Sequence, residues 1–285
     1  GCAYLINSLL GLFNDHISSW HAMAIVLASA SFGMVAGGMA GSIAASVQWL
    51  HERNVKMQAA TFASILPNVL NNLAILLLSL IGVLYLQSLN QLTPIQLKAF
   101  LIVLFLLVLV FILFGAFLIK REKSTSALLS FIKKISKTIK KPVNEEKVRC
   151  QINEVYEVWD VILKKKWWKP ILGILMSFGF DMAALCALFC AAGEKLPFKK
   201  LIIGYGLPQL LGKAAFVLPG GIGVLESSMI ELYQMLGISD PIVVIVVLAY
   251  RFLAFLVPTL IGFLLVVYLL KWVKKEKVES SVKSI

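Results

Sequence analysis

The chain has 285 residues, of which 59% are hydrophobic and 15% are charged. A soluble domain carries about a quarter charged residues, so the composition excludes an ordinary soluble protein and predicts an integral membrane protein. The net charge of +12 also fits a nucleic-acid binder, but 14 of the 27 Lys and Arg lie in 120–169 and five more follow Leu270, beside apolar segments. We therefore expect membrane lipids as partners, and no nucleic acid.

The first membrane half, 1–119, begins with an apolar stretch, 1–13, that is too short to cross about 30 Å of hydrocarbon. We interpret it as a truncated span. Segment 20–50 is apolar but crowded with Gly, Ser and Ala, and glycines permit a helix to break inside the membrane. We predict a re-entrant element broken near residues 37–41. One unbroken, tightly packed helix is the alternative.

Two spans complete this half, at 59–86 and 97–119. The first carries three amides close together, Asn68, Asn71 and Asn72. Such side chains either hydrogen-bond between helices or line a polar cavity, and both alternatives stay open. We count the three amides as candidate substrate-binding residues.

A basic segment, 120–169, follows, in which apolar residues recur at helical spacing between lysines. This pattern predicts amphipathic helices that lie in the membrane interface and attract anionic headgroups. Because positive charge concentrates on the cytoplasmic side, we expect this segment and the tail, 272–285, to be cytoplasmic. The resulting localisation is the cell membrane, with several spans and a cytoplasmic C-terminus.

The second membrane half, 170–271, repeats the order of the first. We predict a span at 170–192, a broken helix at 198–218, a re-entrant helix at 224–236 and a span at 241–270. Each half thus has a glycine-rich break, a short helix, a polar loop and a long span, and the two loops fall on opposite sides. The fold class that we predict is an all-α polytopic helical membrane protein whose two broken, re-entrant helices are related by an inverted repeat.

Four ionisable residues fall at the predicted membrane depth: Asp181, Lys213, Glu226 and Arg251. Charges there cost about 2.5–3.5 kcal/mol each on insertion scales, so they face a cavity or a partner. One hypothesis is that Lys213 or Arg251 binds a lipid phosphate. The alternative is that Glu226 pairs with one of the two cations and stabilises the fold. For Asp181 we favour such a structural role.

Glycines surround the predicted start of the re-entrant helix. A helix N-terminus exposes free N–H groups and a partial positive charge. We therefore expect the backbone of Gly220, Gly221 and Gly223 to contribute to the same phosphate site. No cysteine and histidine spacing indicates a metal site, and we expect neither metal nor cofactor.

The run Pro-Gly-Gly-Ile-Gly-Val-Leu-Glu at 219–226, a Leu-Gly turn at 236–237 and a Tyr-Arg pair at 250–251 resemble the signature of the lysylphosphatidylglycerol synthase transmembrane family. The glycine-rich break near 37–41 is similar to the first such element of that family. The resemblance implies a flippase-like membrane domain, and the motif residues that it carries over are Gly221, Gly223, Glu226, Gly237 and Arg251.

The first half departs from the family pattern. Its break lacks the Pro-Gly-Arg or Pro-Gly-Gly form, and Pro67 with the nearby asparagines stands where relatives usually carry Glu, Arg and Asp. The departure argues for a different substrate within the family.

Three functions remain open at this point. The first is a transporter that moves a phospholipid, such as aminoacylated phosphatidylglycerol, or another lipid-linked amphiphile between leaflets, with a role in resistance to antimicrobial peptides. The second is the membrane domain of a phosphatidylglycerol lysyltransferase whose catalytic domain is absent from this chain. The third is an accessory protein for lipid glycosylation. The sequence contains no nucleophile–base pair or phosphate loop, so we expect no enzyme activity from this chain alone, and a homo-oligomer stays open.

Overall fold

The computed structural model describes residues 1–89, 94–119, 125–126, 130, 167–214 and 219–283. Within these residues the chain is helical and contains no strand. The helices before the basic segment are α1 (Cys2–Leu10), α2 (Ser19–Val35), α3 (Gly38–His51), α4 (Met57–Ser88) and α5 (Pro94–Ile119). Those after it are α6 (Trp168–Ala191), α7 (Phe198–Ala214), α8 (Val224–Met235), α9 (Asp240–Arg251) and α10 (Val257–Lys283).

The chain divides into two compact units. One contains Gly1–Lys98 and Trp167–Ile285, and the other contains Ala99–Lys166. In the second unit the structure describes most of α5 and three further residues. The amphipathic helices predicted for 120–169 lie almost wholly outside the described residues and stay a prediction.

Long apolar helices confirm the predicted all-α polytopic fold. In the described part of the chain, three are long and apolar enough to cross a membrane: Met57–Ser88, Trp168–Ala191 and Asp240–Leu270. About 20 apolar residues suffice for one crossing. The helix of the last segment continues through the basic residues to Lys283, beyond the predicted end of the span at 270.

The first helix break lies at residues 36–37, at the edge of the predicted region 37–41, whose other residues begin the next helix. Helix α2 ends at Val35, and α3 begins at Gly38. Between them Gly37 has a φ of 85°, in the left-handed region that residues with a Cβ rarely adopt. The described residues therefore form two helices here, which excludes the alternative of one unbroken helix.

The second break separates α7 from α8. Helix α7 ends at Ala214, a short 3₁₀ turn covers Pro219–Gly221, and α8 begins at Val224. The order of helix, break and short helix thus occurs in both halves, each time before a long apolar segment. The opposite orientation of the two halves, which an inverted repeat requires, stays a prediction.

Packing within the first unit places both broken elements against long helices. Helix α2 contacts α3 and α10, α4 contacts α3 and α7, and α7 also contacts α8. The contact between α7 and α8 is close, because a Cβ on Gly204 would lie 2.2 Å from the ring of Tyr233. Because only glycine fits at this position, the buried ring of Tyr233 can lie directly against the backbone of α7.

A π-helical turn, Phe252–Leu256, joins α9 to α10. Pro258 follows it and lacks the N–H that would donate to the carbonyl of Ala254. A π turn accommodates the missing hydrogen bond, and π turns recur at functional sites. This turn begins directly after Arg251.

Candidate functional site

An ion pair links the start of α8 to the end of α9. The guanidinium Nε of Arg251 donates to Oε1 of Glu226, and the two side chains are 13% and 17% exposed, respectively. The other carboxylate oxygen, Oε2, accepts the backbone N–H of Gly223 at 2.6 Å. Glu226 stands at the third position of α8, from which a glutamate commonly reaches back to the residue that precedes the helix. Both oxygens of Glu226 therefore accept a hydrogen bond.

Two more contacts orient Arg251. Its Nη2 donates to the carbonyl oxygen of Gly220 at 3.1 Å, and its guanidinium carbon lies 4.3 Å from the ring centre of Phe255. A guanidinium has five N–H donors, and the bonds to Glu226 and Gly220 engage two of them within the described part of the chain. Arg251 is thus held in place by three contacts.

Lysine and amide side chains lie on the other side of the break. The Nζ of Lys213, near the end of α7, donates to Oδ1 of Asn72 in α4. Lys213 is exposed, whereas Asn72 is half-buried. The amide of Asn68 donates to the carbonyl of Ser64 in its own helix, at 3.1 Å. Of the alternatives for the amides, the interhelical bond is therefore realised at Asn72.

The 3₁₀ turn Pro219–Gly221 connects these two groups of side chains. A Cβ on Gly221 would lie 2.8 Å from the carbonyl oxygen of Gly212, the residue before Lys213. On its other side, the turn accepts the hydrogen bond from Arg251 through Gly220. The turn therefore packs against the residue before Lys213 on one side and bonds to Arg251 on the other.

We name this group of residues the break cluster. It comprises the polar side chains and glycines that meet at the second break, which are Asn72, Lys213, Gly220, Gly221, Gly223, Glu226 and Arg251.

The structure resolves part of what the sequence left open. Glu226 pairs with Arg251, as the structural alternative holds, and Lys213 takes Asn72 instead of the carboxylate. The pairing does not use up the positive charge, because the cluster has two cations and one carboxylate. The cluster therefore carries a net positive charge beside apolar helices, a combination that suits an anionic ligand.

Asp181 has a different partner. The hydroxyl of Tyr205 in α7 donates to Oδ2 of Asp181 in α6 at 3.1 Å, and Tyr205 is 2% exposed. This bond supplies the partner that an intramembrane carboxylate needs. Sequence reasoning missed both Tyr205 and Phe255. The second could have been found, because Phe255 follows Arg251 by four residues, one helical turn along the same segment.

No three side chains among His, Cys, Asp and Glu come together as a metal site in the described residues.

Comparison with known proteins gives a family match over most of the chain. The family model described as the lysylphosphatidylglycerol synthase TM region matches residues 3–262. A UPF0104 membrane protein of Pyrococcus horikoshii is 25% identical over 170 residues, which is 56% of this chain and 50% of the relative. One of Methanocaldococcus jannaschii is 25% identical over 157 residues, 53% of this chain and 46% of the relative. The chain thus spans about half the length of these curated relatives, and no solved structure matches it.

Proposed function

The chain belongs to the lysylphosphatidylglycerol synthase transmembrane family, and from this premise we propose that it is a lipid transporter. It moves a phospholipid, such as phosphatidylglycerol or its aminoacylated form, or another lipid-linked amphiphile, between the leaflets of the membrane. The break cluster is its headgroup site. The multi-pass membrane location is proposed to be the cell membrane, with the C-terminus in the cytoplasm, because basic residues follow Leu270.

The observation that carries this proposal is the fixed arginine of a membrane segment that lies beside the second break. Arg251 lies inside the apolar segment Asp240–Leu270, where a charge is expensive and is kept for a partner or a pathway. Its contacts with Glu226 and Gly220 hold it beside a turn of glycines. Broken helices of this type form the substrate sites of many transporters.

Lipid handling is the use that fits the surroundings of the cluster. Large apolar side chains near it are exposed, including Ile222, Leu248 and Phe252. Acyl chains can lie against these side chains while a phosphate contacts Lys213 or Arg251. An arginine binds phosphate through paired N–H donors, and a lysine acts as a point charge. In this proposal the basic segment 120–169 gathers anionic headgroups at the interface, and the protein acts alone or as a homo-oligomer.

Reconstitution tests the proposal. The purified protein is placed in liposomes that contain fluorescent phosphatidylglycerol, and leaflet exchange is followed by quenching from outside. We expect protein-dependent exchange, and its loss in the double variant Glu226→Ala, Arg251→Ala. The matched control is Glu231→Ala, which changes an exposed carboxylate of the same helix α8. Exchange that survives in the double variant refutes the site, and absence of exchange with every lipid tested refutes the transport function.

The family description favours a second candidate. Because that description names a synthase, the chain is alternatively the membrane part of a lysyltransferase that acts with a separate catalytic domain. Transfer of lysine from lysyl-tRNA to phosphatidylglycerol in membranes that contain the protein tests this candidate. Product in those membranes, and none in membranes without the protein, would support it. If neither exchange nor transfer is found, the remaining candidate is the accessory protein for lipid glycosylation.

A further inference from the structure

We infer that the break cluster selects anionic headgroups and disfavours headgroups that carry ammonium groups, and that Asn72 and Lys213 set this selectivity. The inference rests on the proposed lipid transport and names the class of lipid. Phosphatidylglycerol, with one negative charge, belongs to the favoured class. Lysyl-phosphatidylglycerol, whose lysyl ester adds two ammonium groups, belongs to the disfavoured class.

The occupancy of Glu226 is the first reason. An ammonium group in a membrane site needs a carboxylate or several oxygen acceptors as its partner. The break cluster has one carboxylate, and its Oε1 and Oε2 already accept from Arg251 and from the Gly223 N–H. An ammonium headgroup would have to displace Arg251, which is also held by Gly220 and Phe255. A cationic headgroup would therefore have to compete with Arg251 for the charge of this carboxylate.

The neutrality of Asn72 is the second reason. Its amide oxygen accepts from Lys213 but carries no charge, so the positive charge of Lys213 stays uncompensated by this partner. An aspartate at the same position would form an ion pair with Lys213 and cancel that charge. The amide thus orients the lysine while leaving its charge for a ligand. The neighbouring Asn71 is half-buried on the same helix and is likewise neutral.

The placement of the cations is the third reason. Arg251 donates to Gly220 of the glycine turn, and the backbone of Gly212, the residue before Lys213, lies against Gly221 of the same turn. In this proposal the two cations attract a phosphate at the turn, whereas they repel an ammonium group there. At the effective dielectric of protein sites, one like-charge contact within about 4 Å disfavours binding by more than tenfold.

Binding to the purified protein tests the selectivity directly. The full chain in detergent is titrated with phosphatidylglycerol and with lysyl-phosphatidylglycerol in competition with a fluorescent short-chain phosphatidylglycerol. We expect at least about tenfold tighter binding of phosphatidylglycerol. Lys213→Met should weaken phosphatidylglycerol binding about tenfold, because it removes a charged partner of the phosphate. The control Lys199→Met, at an exposed position of the same helix, should change nothing.

A charge exchange at Asn72 gives the sharper readout. Asn72→Asp should bring the affinities for phosphatidylglycerol and lysyl-phosphatidylglycerol to within about threefold of each other, because the new carboxylate neutralises Lys213. Asn54→Asp adds the same charge at an exposed position before α4 and should leave the preference unchanged. Equal binding of both lipids by the unmodified protein overturns the inference, as does binding of neither. If Asn72→Asp leaves the preference for phosphatidylglycerol unchanged, Asn72 does not set the selectivity.

The liposome assay, run with both lipids, separates the two proposals. Exchange without headgroup preference leaves the transport function standing and refutes the selectivity. Selective binding without any exchange supports the selectivity of the site and refutes transport. If Asn72→Asp does not fold, the comparison of Lys213→Met with Lys199→Met still decides whether the lysine charge sets the preference.

Discussion

Breaking the ion pair between Glu226 and Arg251 should destabilise the protein more than breaking an exposed ion pair would. The perturbation is Glu226→Gln, which keeps an oxygen for the Gly223 N–H and removes the charge that faces Arg251. Both side chains are less than a fifth exposed, so water screens the pair weakly. Removing one partner of a buried pair costs about 3–5 kcal/mol, because the other charge stays uncompensated.

A double-mutant cycle measures this coupling. Unfolding of the detergent-solubilised protein in increasing sodium dodecyl sulfate is followed by the fluorescence of its six tryptophans. We expect Glu226→Gln and Arg251→Met each to lower the free energy of unfolding by about 3 kcal/mol or more. The double variant should lose less than the sum of the two, by about 0.5–3 kcal/mol, since no unpaired charge remains.

Additivity would contradict this reasoning. If the two losses sum within about 0.5 kcal/mol, the side chains do not interact in the folded protein. The pair would then not hold α8 against α9. A control cycle between Glu231 and Lys199, two exposed residues on α8 and α7, should be additive.

Two further predictions concern the helices that support the site. Gly204→Ala should lower the free energy of unfolding by about 1–3 kcal/mol, because its Cβ would overlap the ring of Tyr233. In the same titration the control Gly179→Ala, where a Cβ meets no atom within 4 Å, should be neutral or slightly stabilising. Equal losses at both positions would contradict the packing argument. Tyr205→Phe should lower the free energy of unfolding by about 1.5–3 kcal/mol, because it removes a hydrogen-bond donor to a carboxylate. The loss should be smaller in an Asp181→Asn background, where the acceptor is neutral. An unchanged loss there would show that the hydroxyl does not act through Asp181.

Local chemistry made the breaks and helix ends predictable. Positive φ, at which a side chain would be strained, occurs at the two breaks in Gly37, Gly220, Gly221 and Gly223. Gly237, also at positive φ, follows the last turn of α8, and Pro241 stands in the first turn of α9. These signals depend on the backbone preferences of single residues, which the sequence carries in full.

Pairing across helices was not predictable from the same information. For Glu226 both Arg251 and Lys213 were open as partners, and for the amides both an interhelical bond and a polar cavity were open. Sequence spacing orders residues along one helix, but a contact between helices depends on how α4, α7, α8 and α9 pack, and therefore on distances that no spacing records.

The amino-acid sequence by itself determined that this is an all-α membrane protein with two glycine breaks, because bilayer thickness requires long apolar helices and backbone geometry limits where they stop. Only the tertiary structure decided that Glu226 is occupied by Arg251 and that Lys213 is oriented by the neutral Asn72. The reason is that a helix satisfies its own backbone hydrogen bonds, whereas a buried charge must find its partner on another helix.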